Sequence, residues 1–443
     1  MTIFSSLMFS FRLLFPRSEK KSSARRSVIG SIICIGLCVV PLVTVISVVN
    51  GMINGMTERM IALSSNHLSA IVKRNASVSK SLEKLNGYAN RFLQVDGVDA
   101  VYPALECDAI VASNSYRTGA VVRSFDTSIF EMNPDYKKYF KVESGKLSDF
   151  KNGEKTAVIG ENLSKVLGIK PGQRFSLITA RTLESGAIVP KMTVFKVGAV
   201  VSCGYQELDS LWVFIPLDVA YSVIPLEKAV FSVQIHTENP FSTNLIAIQQ
   251  DCSKISGGLS RVFNWMKLNE YRMQSFSSTR LLIMLIMILI ALVAVVNIAS
   301  ALVMLVMERR NEIAILKSVG GSAKGITFSF LVAGVCCGIA GVVIGMPIGI
   351  LCSLNANKIV IFMEKLINLA AKFIYILKGN SADSFYSIKL MDPAYYLSEI
   401  PIDIPFNQLA LISVSVILLS LLVSIIPAIK AGKEKPLDIL RKS

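Results

Sequence analysis

Long uncharged apolar runs alternate with short charged intervals along this chain, and their order is asymmetric. Residues 281–307, LLIMLIMILIALVAVVNIASALVMLVM, hold no charge at all. A helix needs roughly 20 apolar residues to cross the hydrocarbon core of a bilayer, so this run reads as a span. Residues 27–49, 326–354 and 407–429 meet the same criterion. Pro41, Gly341, Gly345, Pro347 and Pro427 lie inside these runs, where membrane helices tolerate them. Glycine lets helix backbones approach closely, so the Gly-rich third span is expected to pack against another helix. The first run is longer than the apolar region of a signal peptide and is preceded by 26 residues, which makes it an anchor.

Between the first and second spans the pattern changes. GMINGMTERMIALSSN keeps apolar residues at near-helical spacing (Met52, Ile53, Met56, Met60, Ile61, Leu63), which predicts a first helix that projects beyond the membrane into the strand HLSAIV. SLEKLNGYANRFLQV (81–95) predicts a helix, closed by Gly97. AIVASNSYRTGAVVRSF reads as two β runs around a turn. KTAVIGENLSKVLGIKPGQRFSLIT reads as strand, short helix, Pro-Gly turn and strand, and residues 241–266 predict a further helix. The domain is mixed α/β, with a β-rich part (about 104–215) inserted into an α/β part. NANKIVIFMEKLINLAAKFIYI (355–376) is too polar for a fifth span and fits an extended or interfacial helix continuing the third.

Composition agrees with the spans. The chain is 52% hydrophobic and 17% charged, against about 25% charged in soluble proteins, and its mean hydropathy is +0.54. Ten of the fifteen net positive charges lie in residues 1–26, 308–325 and 427–443. With four spans these segments share one side, which the positive-inside rule makes cytoplasmic. The basic excess is therefore a topology signal rather than a sign of nucleic-acid binding. The layout is a cytoplasmic N-terminus (1–26), first span (27–49), outside domain (50–280), second span (281–307), inside island (308–325), third span (326–354), outside segment (355–406), fourth span (407–429) and inside tail (430–443).

The search for chemistry is negative. His67 and His236 are the two histidines. His67 sits at a helix–strand junction and His236 in the alternating SVQIHT, so both read as structural. Neither a His-based triad nor a metal centre is expected from them. No phosphate-loop motif G-x-x-x-x-G-K-[ST] occurs, so no ATPase, bound nucleotide or other cofactor is expected in this chain. Of eight cysteines, Cys107, Cys203 and Cys252 fall outside the spans; one disulfide among them is possible, with the pair left open.

Two positive signals remain. In MERRNEIAILKSVGGSAKGI (307–326), a helical reading puts Ile313, Leu316 and Val319–Gly320 on one face with Ile315 beside them, and Glu308, Arg309, Glu312 and Lys317 on the rest. Gly320–Gly321 then stops the helix. Such an amphipathic helix suits a partner's groove. In ITARTLESGAIVPKMTVFKV (178–197), two β segments flank a loop that presents Ala187, Ile188, Val189 and Met192, stiffened by Pro190. An exposed apolar loop of this kind reads as a contact site.

The one-plus-three span layout, LVTVISVVNGM, VIGENLSKVLGIKPGQRFSLI, GYQELDSLWVFIPLDVA, NIASALVMLVMERRNEIAILKSVGGS and the tail PAIKAGKEKPLDILRKS together resemble the FtsX-like/MacB-type permeases, the mechanotransmission class of ABC transporters. Within them the chain is most similar to the lipoprotein-releasing LolC/LolE subunits, and the resemblance covers essentially the whole chain. It implies an α-helical membrane protein of the bacterial inner membrane with four spans, and a MacB-like periplasmic α/β domain of two subdomains. It implies that Glu308, Arg309, Glu312, Ile313, Ile315, Leu316, Val319 and Gly320 form a coupling helix docked on a cytoplasmic LolD-like ATPase, which binds the ATP. It implies that Thr182, Gly186, Ile188, Val189, Pro190 and Met192 belong to a hook for a periplasmic LolA-like lipoprotein chaperone. Lipoprotein lipids would enter between the first and second spans, at Val45, Val48, Val49, Met52, Ile53 and Met56 on one helix and Ile283, Met284, Met287 and Ile290 on the other. A second permease subunit, identical or paralogous, completes the expected assembly. LolC-like, LolE-like and hybrid identities stay open. A MacB-like efflux permease or an FtsX-like transmitter acting on a cell-wall hydrolase is the alternative; the former usually carries a fused ATPase and the latter a smaller outside domain.

Overall fold

The computed structural model describes residues 23–74, 76–113, 116–182, 187–377 and 401–433. Residues 53–276 form one compact unit, and residues 23–52, 277–377 and 401–433 belong to the other.

Among the described residues, the helical unit contains four helices long and apolar enough to cross a membrane. α1 runs Ser23–Met60, and its last turns enter the other unit. α5 runs Glu270–Glu308, α7 Ala323–Leu354 and α9 Phe406–Lys433. At 38 and 39 residues, α1 and α5 each extend roughly 57 Å at 1.5 Å per residue, well past the apolar thickness of a bilayer. α7 is followed after Asn355 by α8, Ala356–Leu377, so the polar stretch there is helical.

The glycines of α7 set its packing. A Cβ on Gly345 would lie 2.7 Å from the Gly36 carbonyl oxygen of α1, and one on Gly349 would lie 2.8 Å from Val43 Cβ. The neighbouring face meets α9, where Ser420 Oγ donates to Gly334 O at 2.6 Å and blocks a Cβ on Gly338 at 2.7 Å. Inside lipid no hydrophobic force drives helices together, so close backbone approach supplies the contact.

Among the described residues the second unit is built on ten strands: β1 Leu68–Val72, β2 Val98–Ala112, β3 Arg117–Phe125, β4 Lys141–Gly145, β5 Thr156–Gly160, β6 Arg174–Thr182, β7 Ile188–Ser202, β8 Trp212–Pro216, β9 Val230–Thr237 and β10 Ser260–Asn264. Their order is β10-β1-β9-β2-β3-β8-β5-β7-β4, with β6 pairing both β2 and β7. That last pairing closes a ring through β2, β3, β8, β5, β7 and β6. The ring is the β-rich part; β10, β1, β9 and the first half of β2 carry α2 (Leu82–Phe92) and α4 (Leu245–Ile255) as the α/β part. The fifteen-residue β2 belongs to both, pairing β9 over Val98–Glu106 and β3 over Leu105–Ala112. An aromatic cluster of Phe125, Phe130, Tyr136, Phe140, Trp212 and Phe214, ring centroids 5–6.5 Å apart, packs beside the ring. Edge-to-face rings add to their area burial.

All eight cysteines are free. The disulfide left open among Cys107, Cys203 and Cys252 is absent; the three are buried on β2, beyond the end of β7 and on α4.

Candidate functional site

The charged island folds as α6, Arg310–Ser318, set off from α5 by a turn at Arg309. Its end is chemically explicit. Gly320 has φ +95°, its N–H donates to Lys317 O at 3.1 Å, and the Gly321 N–H donates to Leu316 O at 2.9 Å. This is the Schellman arrangement, which needs a left-handed residue and satisfies the last carbonyls. Ser322 then caps α7 by accepting from the Gly325 N–H.

The apolar residues of α6 do not form one docking face. Ile313 is fully buried with Ala314, packed among Leu305, Val306, Ile326, Phe330 and Ala428 of its own unit. Leu316 is half-buried. Ile315 and Val319 are 54% and 84% exposed. With Glu308 and Glu312 they follow helical i, i+4, i+7, i+11 spacing, so the outward face is two carboxylates followed by two apolar side chains. Arg309 pairs with Glu312, and Lys317 donates to the Gly432 carbonyl of α9. The amphipathic pattern was visible in the sequence, but it did not separate the residue that roots the helix from those that face out.

The second candidate is a hairpin rather than a long loop. β6 and β7 remain paired from Arg174↔Lys196 out to Thr182↔Ile188, leaving 183–187 as the connection. Gly186 lies outside the described residues. Ile188, Val189, Pro190 and Met192 are strand residues, because the apolar, β-branched run continues the ladder. Alternation puts Ile188 (64% exposed), Pro190, Met192 (62%) and Val194 (48%) on one face. Their partners Thr182, Ala180, Ile178 and Ser176 share that face, so Ile178, Ala180 and Val194 join the apolar surface although the loop reading omitted them. Period-two alternation through the strands would have found them. Val189 belongs to the opposite face, where Lys191 Nζ reaches Ser222 O at 3.1 Å. Pro190, which cannot donate to a ladder, sits where β7 has a neighbour on one side only.

The expected lipid entrance is divided. Val45, Val48, Val49 and Met52 lie on the helical part of α1 and are exposed or half-exposed. Ile53 and Met56 belong to the sheet unit, and Met56 packs against the aromatic cluster. On α5, Met284 is 59% exposed and Ile283, Met287 and Ile290 are half-exposed.

Sequence reasoning missed two constellations in the sheet unit. Arg123 is 1% exposed and gathers the π-helical turn Ile61–Ser65 that follows α1: Nη1 donates to Leu63 O, Nη2 to Ser64 O at 2.8 Å and Nε to Glu106 Oε1 at 2.8 Å. A buried guanidinium is thus fully engaged, on carbonyls that a helix C-terminus leaves unpaired. The second is His67 with His236, rings 4.2 Å apart, and Asp135 Oδ2 at 3.3 Å from His236 Nε2. The two histidines stand far apart in sequence. β1 pairs β9 with Leu68 opposite Ile235, which carries His67 beside His236. Burial, with the nearby His236 adding to it, pushes His67 down to about 4. The hydrogen bond from His236 holds Asp135 below its usual range.

Two family models match the chain: the MacB-like periplasmic core domain over residues 28–248 and the FtsX-like permease C-terminal over 284–436. The lipoprotein-releasing system transmembrane protein LolC of Neisseria meningitidis is 24% identical over 78% of each chain. LolC of Xylella fastidiosa is 22% identical over 68% of each, and LolE of Haemophilus influenzae is 22% identical over 64% of each. The solved periplasmic region of MacB from Actinobacillus actinomycetemcomitans aligns with 50% of this chain and 94% of its own, at 14% identity and a TM-score of 0.31.

Proposed function

The chain belongs to the MacB-like and FtsX-like permease family, in the group that includes LolC and LolE, and from that premise we propose that it is the membrane subunit of a lipoprotein-releasing ABC transporter. It has four helices apolar enough to cross a membrane among the described residues, and a periplasmic domain, and acts as a permease subunit. In this reading it sits in the bacterial inner membrane with both termini and α6 cytoplasmic. ATP is bound and hydrolysed by a separate ATPase, so the chain itself needs no cofactor. The hairpin meets a periplasmic chaperone, and a second permease subunit stands beside this one.

The observation that carries the reading is the construction of α6. Ile313 is buried in the helical unit, the Schellman turn closes the helix, and Glu308, Glu312, Ile315 and Val319 face outward. A helix rooted in the spans at one face and open at the other can pass a push from a docked ATPase into α5 and α7. The bare, Met-containing face of α5 around Met284 suits acyl chains or a second subunit. The test is co-purification of the ATPase with an Ile315→Asp, Val319→Asp double variant. Loss of the ATPase from a correctly folded permease supports the reading, and unchanged co-purification removes it.

A further inference from the structure

We propose that His67, Asp135 and His236 form a binding site for a divalent transition-metal ion of the zinc class, a site independent of the transport reading. Each residue offers one ligand atom, and the three atoms lie within 4.8 Å of one another. Ligands around tetrahedral zinc, with bonds of about 2.0–2.1 Å, stand roughly 3.3 Å apart. His236 Nε2 and Asp135 Oδ2 already meet that separation at 3.3 Å, so a closure of at most about 1.5 Å by the third ligand, from 4.8 Å to 3.3 Å, completes the set. Two imidazoles and one carboxylate are the mixed nitrogen and oxygen donors that zinc accepts, while magnesium and calcium favour oxygen alone.

The surroundings fit a held ion. Asp99 Oδ2 lies 3.9 Å from His236 Nδ1, in place to orient the ring from behind, as carboxylates do for metal-bound histidines. Asp135 is set by its helix, α3 (Pro134–Tyr139), whose Asn133 cap accepts from the Asp135 N–H at 2.8 Å. Thr237 addresses His67 Nδ1 with its amide at 3.0 Å and its hydroxyl at 2.9 Å, leaving Nε2 for the ion. Coordination there puts the ring proton on Nδ1, where the Thr237 hydroxyl accepts it and the amide gives up its bond. The three residues line a cavity of about 340 Å³ that also includes Glu58 and Glu238, which leaves room for a water or a fourth ligand. An ion at this point ties the segment leaving α1 to β9 and α3 within the sheet unit.

The test uses the full chain in detergent, stripped with a chelator and titrated with zinc chloride alone under chelator competition. Cobalt(II) serves as a visible-absorption probe of the coordination. One zinc per chain is expected, with a cobalt spectrum of tetrahedral character. Asp135→Asn and His236→Ala should each weaken binding at least ~10-fold, and Asp99→Asn about 10-fold, the scale of losing a residue that orients a ligand. The metal-free variants should melt and elute like the parent, and His236→Ala, which leaves the buried His67 in place, carries the test if His67→Gln fails to fold. No zinc bound by the parent, or equal affinity in the parent and the Asp135→Asn, His236→Ala double variant, overturns the proposal.

Discussion

The two elements proposed to meet partners, α6 and the β6–β7 hairpin, are held in opposite ways. α6 buries Ile313 and Ala314 completely among the spans and hydrogen-bonds α9 through Lys317, so one side of the nine-residue helix is rooted while Arg310, Asn311, Glu312, Ile315 and Ser318 stay exposed. The hairpin keeps Ile188, Pro190, Met192 and Val194 exposed on one continuous face, and that face can change without disturbing anything beneath. The difference matches two tasks. A helix that transmits force must be anchored in what it moves, whereas a surface that grips needs stiffness and apolar area.

Substitution can break this contrast. The largest effect is expected from Ile313→Asp, which buries an unpaired carboxylate and should cost ~3–5 kcal/mol. Thermal stability and ATPase co-purification should fall together; a stable permease that still loses the ATPase would show that Ile313 is not a root. Next comes Gly320→Ala. At φ +95° a side chain costs about 1–2 kcal/mol, so ATP hydrolysis should drop while chaperone crosslinking is kept. Equal losses in both assays would contradict the separation of the two elements. Ile315→Asp should change stability by no more than about 0.5 kcal/mol, the range of surface substitutions, and still weaken ATPase binding about tenfold. The smallest structural effect belongs to the Ile188→Asp, Met192→Asp double variant. It should remove chaperone crosslinking from a permease whose stability and ATPase assembly are unchanged. Crosslinking that survives would end the hairpin's assignment.

The comparison also marks how far the sequence could be read. Spans were legible because length and apolarity alone define them, and the glycine contacts of α7 followed from where Gly341 and Gly345 fall. The stop at Gly320–Gly321 was legible because few residues tolerate a left-handed turn. The outward face of α6 was not, since periodicity marks an apolar face without saying whether its own chain or a partner covers it. The hairpin's length was hidden because Gly and Pro suggested a loop, while β-branched residues on both sides extended the ladder. His67, Asp135 and His236 were invisible as a group: only the pairing of β1 with β9 and the placement of α3 bring them together. Arg123 was hidden likewise, since its carbonyl partners belong to the end of a helix far away in sequence.

The central claim is release of lipoproteins by a permease driven through α6. Its most direct test depletes this chain in its own host and fractionates the membranes, with complementation by the parent or by the Ile315→Asp, Val319→Asp variant. The account predicts that triacylated lipoproteins accumulate in the inner membrane on depletion, return to normal with the parent and stay trapped with the variant. An unchanged lipoprotein distribution on depletion would contradict it.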